Sequence, residues 1–207
     1  MPTEKDVSDF LKTSSVKISN TTGLDTIYIQ NVLGNGECFF RAFINGLRFI
    51  YNKDNFGYWV GNGGHIDTLI IQQLKECILT YMKYYLGDNG KTEIQKCVEN
   101  NTNNTNNCKN LIIWLGLLYY EMNIVGITNY DEFAKEFMKP TYYGGLMEAH
   151  ILSFIFNVRI NLFTRLINTN EETFNLSHEI ISDGDIIGNI NLFGTGNHWM
   201  FIYPKLP

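Results

Sequence analysis

The hydrophobic period of this chain switches from about 3.6 to 2 near residue 157, and that switch restricts the fold more than any other feature. Before it, apolar residues recur at helical spacing. Ile66–Leu86 carries Leu69, Ile70, Leu74, Cys77, Ile78, Tyr81 and Tyr85 along one face. Leu111–Ile124 is a strongly apolar helical run, Asp131–Met138 is a short helix stopped near Pro140, and Leu146–Phe156 follows the turn Tyr142–Gly145. Shorter helices are expected at Val7–Leu11 and Thr92–Val98. After the switch, Val158–Phe163 alternates as a strand does. Glu172–Ile181, Ile187–Phe193 and Trp199–Tyr203 are further strands, separated by Asp183-Gly184-Asp185 and Gly194-Thr195-Gly196-Asn197. Helices first and strands after predict an α+β fold, a helical lobe on a small antiparallel-rich sheet.

The chain has 207 residues, enough for one domain with a full core. Residues 1–22 are polar and read as a flexible arm, leaving 23–207 as a single domain. Within it, Glu99–Asn107 is a polar, Asn-rich tract that cannot bury apolar area, so a mobile loop is expected at about 99–108. The Gly- and Asn-rich residues 53–64 read as a second loop. The net charge is −5, with no long basic run, which argues against nucleic acid or an anionic membrane as a partner. No stretch reaches the roughly 18 apolar residues a membrane span needs.

The four cysteines, Cys38, Cys77, Cys97 and Cys108, match no metal-binding spacing, so no metal or cofactor is expected. Cys77 falls in an apolar helical pattern and reads as core. Cys97 and Cys108 flank the Asn-rich tract and would pair only in an oxidising compartment. The N-terminus has no signal-peptide pattern, so the expectation is a cytoplasmic chain with free thiols. On that reading the triplets beginning at Asn20, Asn100, Asn103 and Asn175 are by-products of composition rather than glycosylation sites.

Two residues stand out chemically. Asp25–Val32 reads as an extended segment leading into Leu33-Gly34-Asn35-Gly36, a bend that opens the helix beginning at Cys38. Phe39, Ala42, Phe43, Ile44 and Leu47 give that helix its apolar face. A cysteine at a helix N-terminus lies near unpaired N–H groups and the positive end of the dipole, which favour thiolate. Backbone N–H groups of the Gly-rich bend would form an oxyanion hole. By itself such a cysteine reads more readily as a small core residue. His198 follows a Gly-rich bend and opens the apolar run WMFIY, so a strand edge would hold its imidazole. His65, His150 and His178 are placed less well for that task.

The motif Asn35-Gly36-Glu37-Cys38-Phe39-Phe40-Arg41-Ala42 resembles the nucleophile motif of the OTU (ovarian tumour) cysteine proteases. Tyr143-Gly144-Gly145-Leu146-Met147-Glu148-Ala149 is similar to that family's middle motif, Val158–Phe163 to the strand that follows, and Asn197-His198-Trp199 to its closing His–aromatic pair. The resemblance runs in order from about residue 30 to 203. It implies a papain-like α+β fold and a deubiquitinase that cuts after the C-terminal glycine of ubiquitin or a ubiquitin-like modifier. It implies Cys38 as nucleophile, His198 as base, Asn35 in the oxyanion loop, and Gly36, Glu37, Gly144, Gly145, Glu148 and Trp199 as substrate-binding. The expected partners are ubiquitin and polyubiquitin chains, with the enzyme a monomer, and the host cytosol as its location if it is a viral or pathogen protein. Two departures leave alternatives open. Position 200, two after the histidine, is Met200 where many members have Asp or Asn, so the third triad member comes from elsewhere, with Asp25 a candidate orienter, or is absent; and Asn35 stands where members have Asp. An inactive ubiquitin-binding scaffold and a cysteine enzyme for small amides or acyl groups are the other readings. Glu37, beside the thiol, is expected to point to solvent or substrate, because a nearby carboxylate would disfavour thiolate.

Overall fold

The computed structural model describes residues 11–12, 27–30, 32–51, 65–99, 105–165 and 174–204. Six helices are defined among them: α1 (Cys38–Tyr51), α2 (His65–Leu86), α3 (Asp88–Glu99), α4 (Asn106–Ile124), α5 (Tyr130–Phe137) and α6 (Leu146–Phe156). The strands are β1 (Leu11–Lys12), β2 (Ile27–Gln30), β3 (Val158–Arg165), β4 (Phe174–Ile180), β5 (Gly188–Gly194) and β6 (Trp199–Pro204). They form one sheet in the order β1-β2-β6-β5-β3-β4. Every neighbouring pair is antiparallel except β3 and β5. The architecture is α+β, and the sheet is antiparallel-rich.

Alternation along the strands sorts the core into two layers. Val158, Ile160, Leu162, Ile190, Leu192 and Phe201 face the helices and join the main core with Phe39, Phe43, Trp114 and Ile151. Phe163, Phe193 and Ile202 form a smaller cluster on the opposite face, covered by Ile29, Leu176 and Met200. Helix α1 runs across the first face. Gly46 lets it approach β5 closely, since a Cβ there would stand 2.5 Å from Ile190 Cγ2.

Several local expectations change. Helix α1 is not amphipathic at its start: Cys38 to Gly46 are all buried, and Leu47 only half so. Helix α2 is rotated from the expected face. Ile71, Leu74, Lys75, Ile78, Met82 and Tyr85 point inward, Leu69 is 54% exposed, and Cys77 is exposed rather than core. Lys75 joins this apolar face, its ammonium donating to the Lys139 carbonyl at 2.8 Å. Cys97 and Cys108 are not free thiols; they form a disulfide joining α3 to α4. The expected mobile loop at 99–108 is shortened from both ends, because α3 runs to Glu99 and α4 starts at Asn106. Asp183 accepts from the amides of Asn106 (2.7 Å) and Asn107 (2.9 Å), and Thr105 Oγ1 caps Cys108 N–H at 3.2 Å. In the expected arm, Leu11 and Lys12 pair with β2 as a strand where a helix end was anticipated. The rest of Val7–Leu11 and the loop at 53–64 lie outside the described residues.

Candidate active site

The bend before α1 is held by its own polar groups. Asn35 N–H donates to the Leu33 carbonyl (3.0 Å), Asn35 Oδ1 accepts from Glu37 N–H (3.2 Å), and the Asn35 carbonyl accepts from Cys38 N–H (3.1 Å). This Asx-type turn delivers Cys38 as the first residue of α1, at the positive end of the helix. Cys38 is 1% exposed and counts among the core residues. Gly36 is also buried: a Cβ there would stand 2.4 Å from the Thr141 carbonyl carbon, so the bend presses backbone to backbone on the Pro140–Thr141 turn.

His198 arrives from the other side of the fold. The β5–β6 hairpin pairs Gly194 with Trp199, and Thr195 N–H donates to the His198 carbonyl at 2.9 Å. The imidazole rests against the nucleophile bend. A Cβ built on Gly34 would lie 3.7 Å from His198 Nδ1 and 3.8 Å from its Cε1. One residue on, Trp199 meets the Phe39 ring edge-on at 5.6 Å. Two separate contacts thus bring the segments carrying Cys38 and His198 together. Burial lowers the His198 pKa from the ordinary 6.5, which favours the neutral imidazole a general base requires.

No protein-family model and no curated protein matches the chain. Its similarity is to solved OTU domains. The viral OTU domain protease from Farallon virus is 15% identical, with 94% of this chain and 98% of that one covered and a TM-score of 0.45. The corresponding protease from Qalyub virus is 18% identical, covering 91% and 100%, with a TM-score of 0.43. An OTU deubiquitinase from Wolbachia pipientis wMel, solved bound to ubiquitin, is 13% identical, covering 86% and 96%, with a TM-score of 0.45. These figures describe a loose likeness of fold, and the chemistry of the site rests on this chain's own residues.

The remaining expected site residues divide. Trp199 and Gly145 are half-buried at the site's margin, and a Cβ on Gly145 would meet nothing. Gly144 is buried and faces inward, where a Cβ would stand 2.9 Å from Phe39 and 3.0 Å from Phe40. It supports α1 and does not wall a channel. Gly36 and Asn35 likewise turn toward their own chain. The amides of Asn35, Glu37 and Cys38 donate within the bend itself. Glu37 does not reach solvent or substrate. It is buried in an ion pair with Arg41 at 3.1 Å and lies 3.7 Å from Lys75. Glu148, expected to bind substrate, is 0% exposed and instead anchors the loop. Its Oε2 accepts from Gly145 N–H at 2.6 Å, and its Oε1 lies 2.8 Å from Tyr142 Oη. Met200 packs against the outer-face cluster. Asp25 lies outside the described residues.

Three residues behind the site were not anticipated: Lys75, Glu121 and Tyr142. Tyr142 Oη is 2.7 Å from Glu121 Oε2, and the Lys75 ammonium stands 5.1 Å above the Phe40 ring. The spacing of four between Glu37 and Arg41 is the one sequence signal that could have turned Glu37 inward. Among the described residues, no group of three or more His, Cys, Asp or Glu side chains gathers to hold a metal.

Proposed function

We propose that this chain is an OTU-type cysteine deubiquitinase, hydrolysing the bond after the C-terminal glycine of ubiquitin or a ubiquitin-like modifier. The observation that carries the reading is the approach of the His198 imidazole to the bend that delivers Cys38 to the head of α1, its Nδ1 lying 3.7 Å from where a Cβ on Gly34 would stand. A neutral imidazole takes the thiol proton, leaving the sulfur as the nucleophile at the head of α1. The sulfur attacks the glycine carbonyl, and His198 protonates the departing amine. Water then hydrolyses the thioester with His198 again as base. The order of the motifs around Cys38, Gly144-Gly145 and His198 supports this substrate class, as does the ubiquitin bound to the Wolbachia neighbour.

One observation favours a second reading, a ubiquitin-binding scaffold of the same fold. Cys38 is covered, as an inert core thiol would be, and Met200 offers the imidazole no useful acceptor. An electrophilic ubiquitin probe separates the two. The enzyme reading expects a single covalent adduct that Cys38→Ser abolishes. Ubiquitin binding without any adduct, and without turnover of di-ubiquitin, would leave the scaffold standing.

A further inference from the structure

Two carboxylates meet one phenol behind the loop that flanks Cys38. Tyr142 Oη lies 2.7 Å from Glu121 Oε2 on α4 and 2.8 Å from Glu148 Oε1 on α6, both hydrogen-bond distances between oxygens. A phenol has one proton to donate, and an ionised carboxylate has none. Tyr142 therefore donates to one carboxylate, and the other must bring its own proton to donate to the phenol oxygen. With both glutamates ionised, one of these contacts would set lone pair against lone pair. The phenol does not supply the missing proton by changing state: burial, then the charges of Glu148 and Glu121, keep it protonated.

The surrounding charges lead to the same count. Lys75 faces the pair from α2 and lies 3.7 Å from Glu37, and Arg41 of α1 holds Glu37 at 3.1 Å. Helix α5 presents only rings to Tyr142, Phe137 at 4.7 Å and Phe133 at 6.2 Å between centroids. Arg41 and Lys75 thus both engage Glu37, and one bound proton keeps Glu121 and Glu148 from setting two negative charges against one phenol. A second uncompensated charge beside the fully buried Glu148 would be costly.

We propose that Glu121 and Glu148 share a single proton through Tyr142, and that this bridge makes Glu121 a positioning residue for the Tyr142–Gly145 loop beside Cys38. The positioning role rests on the catalytic reading given above; the shared proton does not. The mechanical link is short. Glu148 Oε2 holds Gly145 N–H, the neighbouring Gly144 backs the Phe39 and Phe40 rings, and these follow Cys38 directly in α1. Losing the proton detaches one carboxylate from Tyr142 and loosens the backing of the nucleophile. Burial raises both carboxyls above the usual 4.5, Glu148 to about 7. A raised carboxyl binds its proton more tightly in the folded chain. Its stabilising contribution is therefore full below 4.5 and is lost as pH rises through about 7.

The test uses the full chain and two variants. Glu121→Gln offers the phenol an N–H donor that cannot titrate, and Tyr142→Phe keeps the ring but removes the bridge. Infrared spectra from about pH 5 to about pH 9 should show a protonated-carboxyl C=O band in wild type that fades with a midpoint of about 7. That band should be absent from Glu121→Gln and its midpoint displaced in Tyr142→Phe. Over the same range the ratio of wild-type to Glu121→Gln labelling by an electrophilic ubiquitin probe should fall roughly threefold to tenfold. A wild-type spectrum without the band, or one that Glu121→Gln leaves intact, overturns the shared proton. A flat labelling ratio overturns the positioning role. If no variant labels at any pH, the deubiquitinase reading has failed, and the infrared band still decides the proton, so the two failures are told apart.

Discussion

The two flanks of α1 are held by different physics. On the sheet side the contacts are shape: Gly46 on Ile190, Phe49 against Phe201 at 5.9 Å, and Phe39 edge-on to Trp199. On the helical side, around the same Cys38, they are charge: Glu37, Arg41 and Lys75, then Tyr142 with Glu148 and Glu121. The difference teaches which substitutions each flank forgives. A shape-held flank tolerates volume-conserving swaps, whereas a charge-held flank fails when one member is removed.

The largest contrast is expected from His198→Ala. It should lower probe labelling about 10²- to 10⁴-fold while thermal unfolding stays close to wild type, because the sheet flank packs without the imidazole. A variant that melts early would break the comparison by showing that the imidazole is structural. In wild type, the acid limb of labelling should fall below 6.5, since burial lowers the histidine pKa and its base form persists to lower pH. Next is Lys75→Met, which keeps the apolar stem and deletes an ammonium that is 1% exposed. It should cost about 1–3 kcal/mol in urea unfolding, because the Lys139 carbonyl loses its buried donor while Arg41 still pairs Glu37. A loss below about 1 kcal/mol would mean that the helical flank is held by packing after all. The smallest effect is expected from Met200→Leu, under about 1.5 kcal/mol, with labelling unchanged. A drop in labelling there would tie the outer-face cluster to His198 and sharpen the contrast.

The same division governs how much could be read from the sequence. The sheet side was legible because alternation fixes which residues face the helices. Val158–Phe163 and Trp199–Tyr203 fall within β3 and β6. Helix α6 runs over Leu146–Phe156 as expected, opened after Gly144-Gly145 and closed by Asn157 in a left-handed conformation, φ 48°. The segments carrying Cys38 and His198 were legible from the Gly-rich bends before them and from the order of the motifs. The charge side was not legible. Glu37 looks like a solvent carboxylate until Lys75, on a different helix, turns inward to meet it. Lys75 shares the buried face of α2 with Ile71, Leu74 and Ile78, a face that leaves Cys77 outside. Pairing of Cys97 with Cys108 depends on how α3 meets α4, which no local pattern states. Glu121 sits on a helix whose apolar run hides which face is the core.

The Cys97–Cys108 bridge bears on how such a protein is handled at the bench. Thiol enzymes are stored with a reductant so that the attacking sulfur survives. The same reagent opens this cross-link, which in a chain-entropy picture contributes about 3 kcal/mol for a loop of this length. The opened loop joins α3 to α4, the helix that carries Glu121. Turnover followed in dithiothreitol and melting followed without it would describe two different molecules, one unstapled and one stapled.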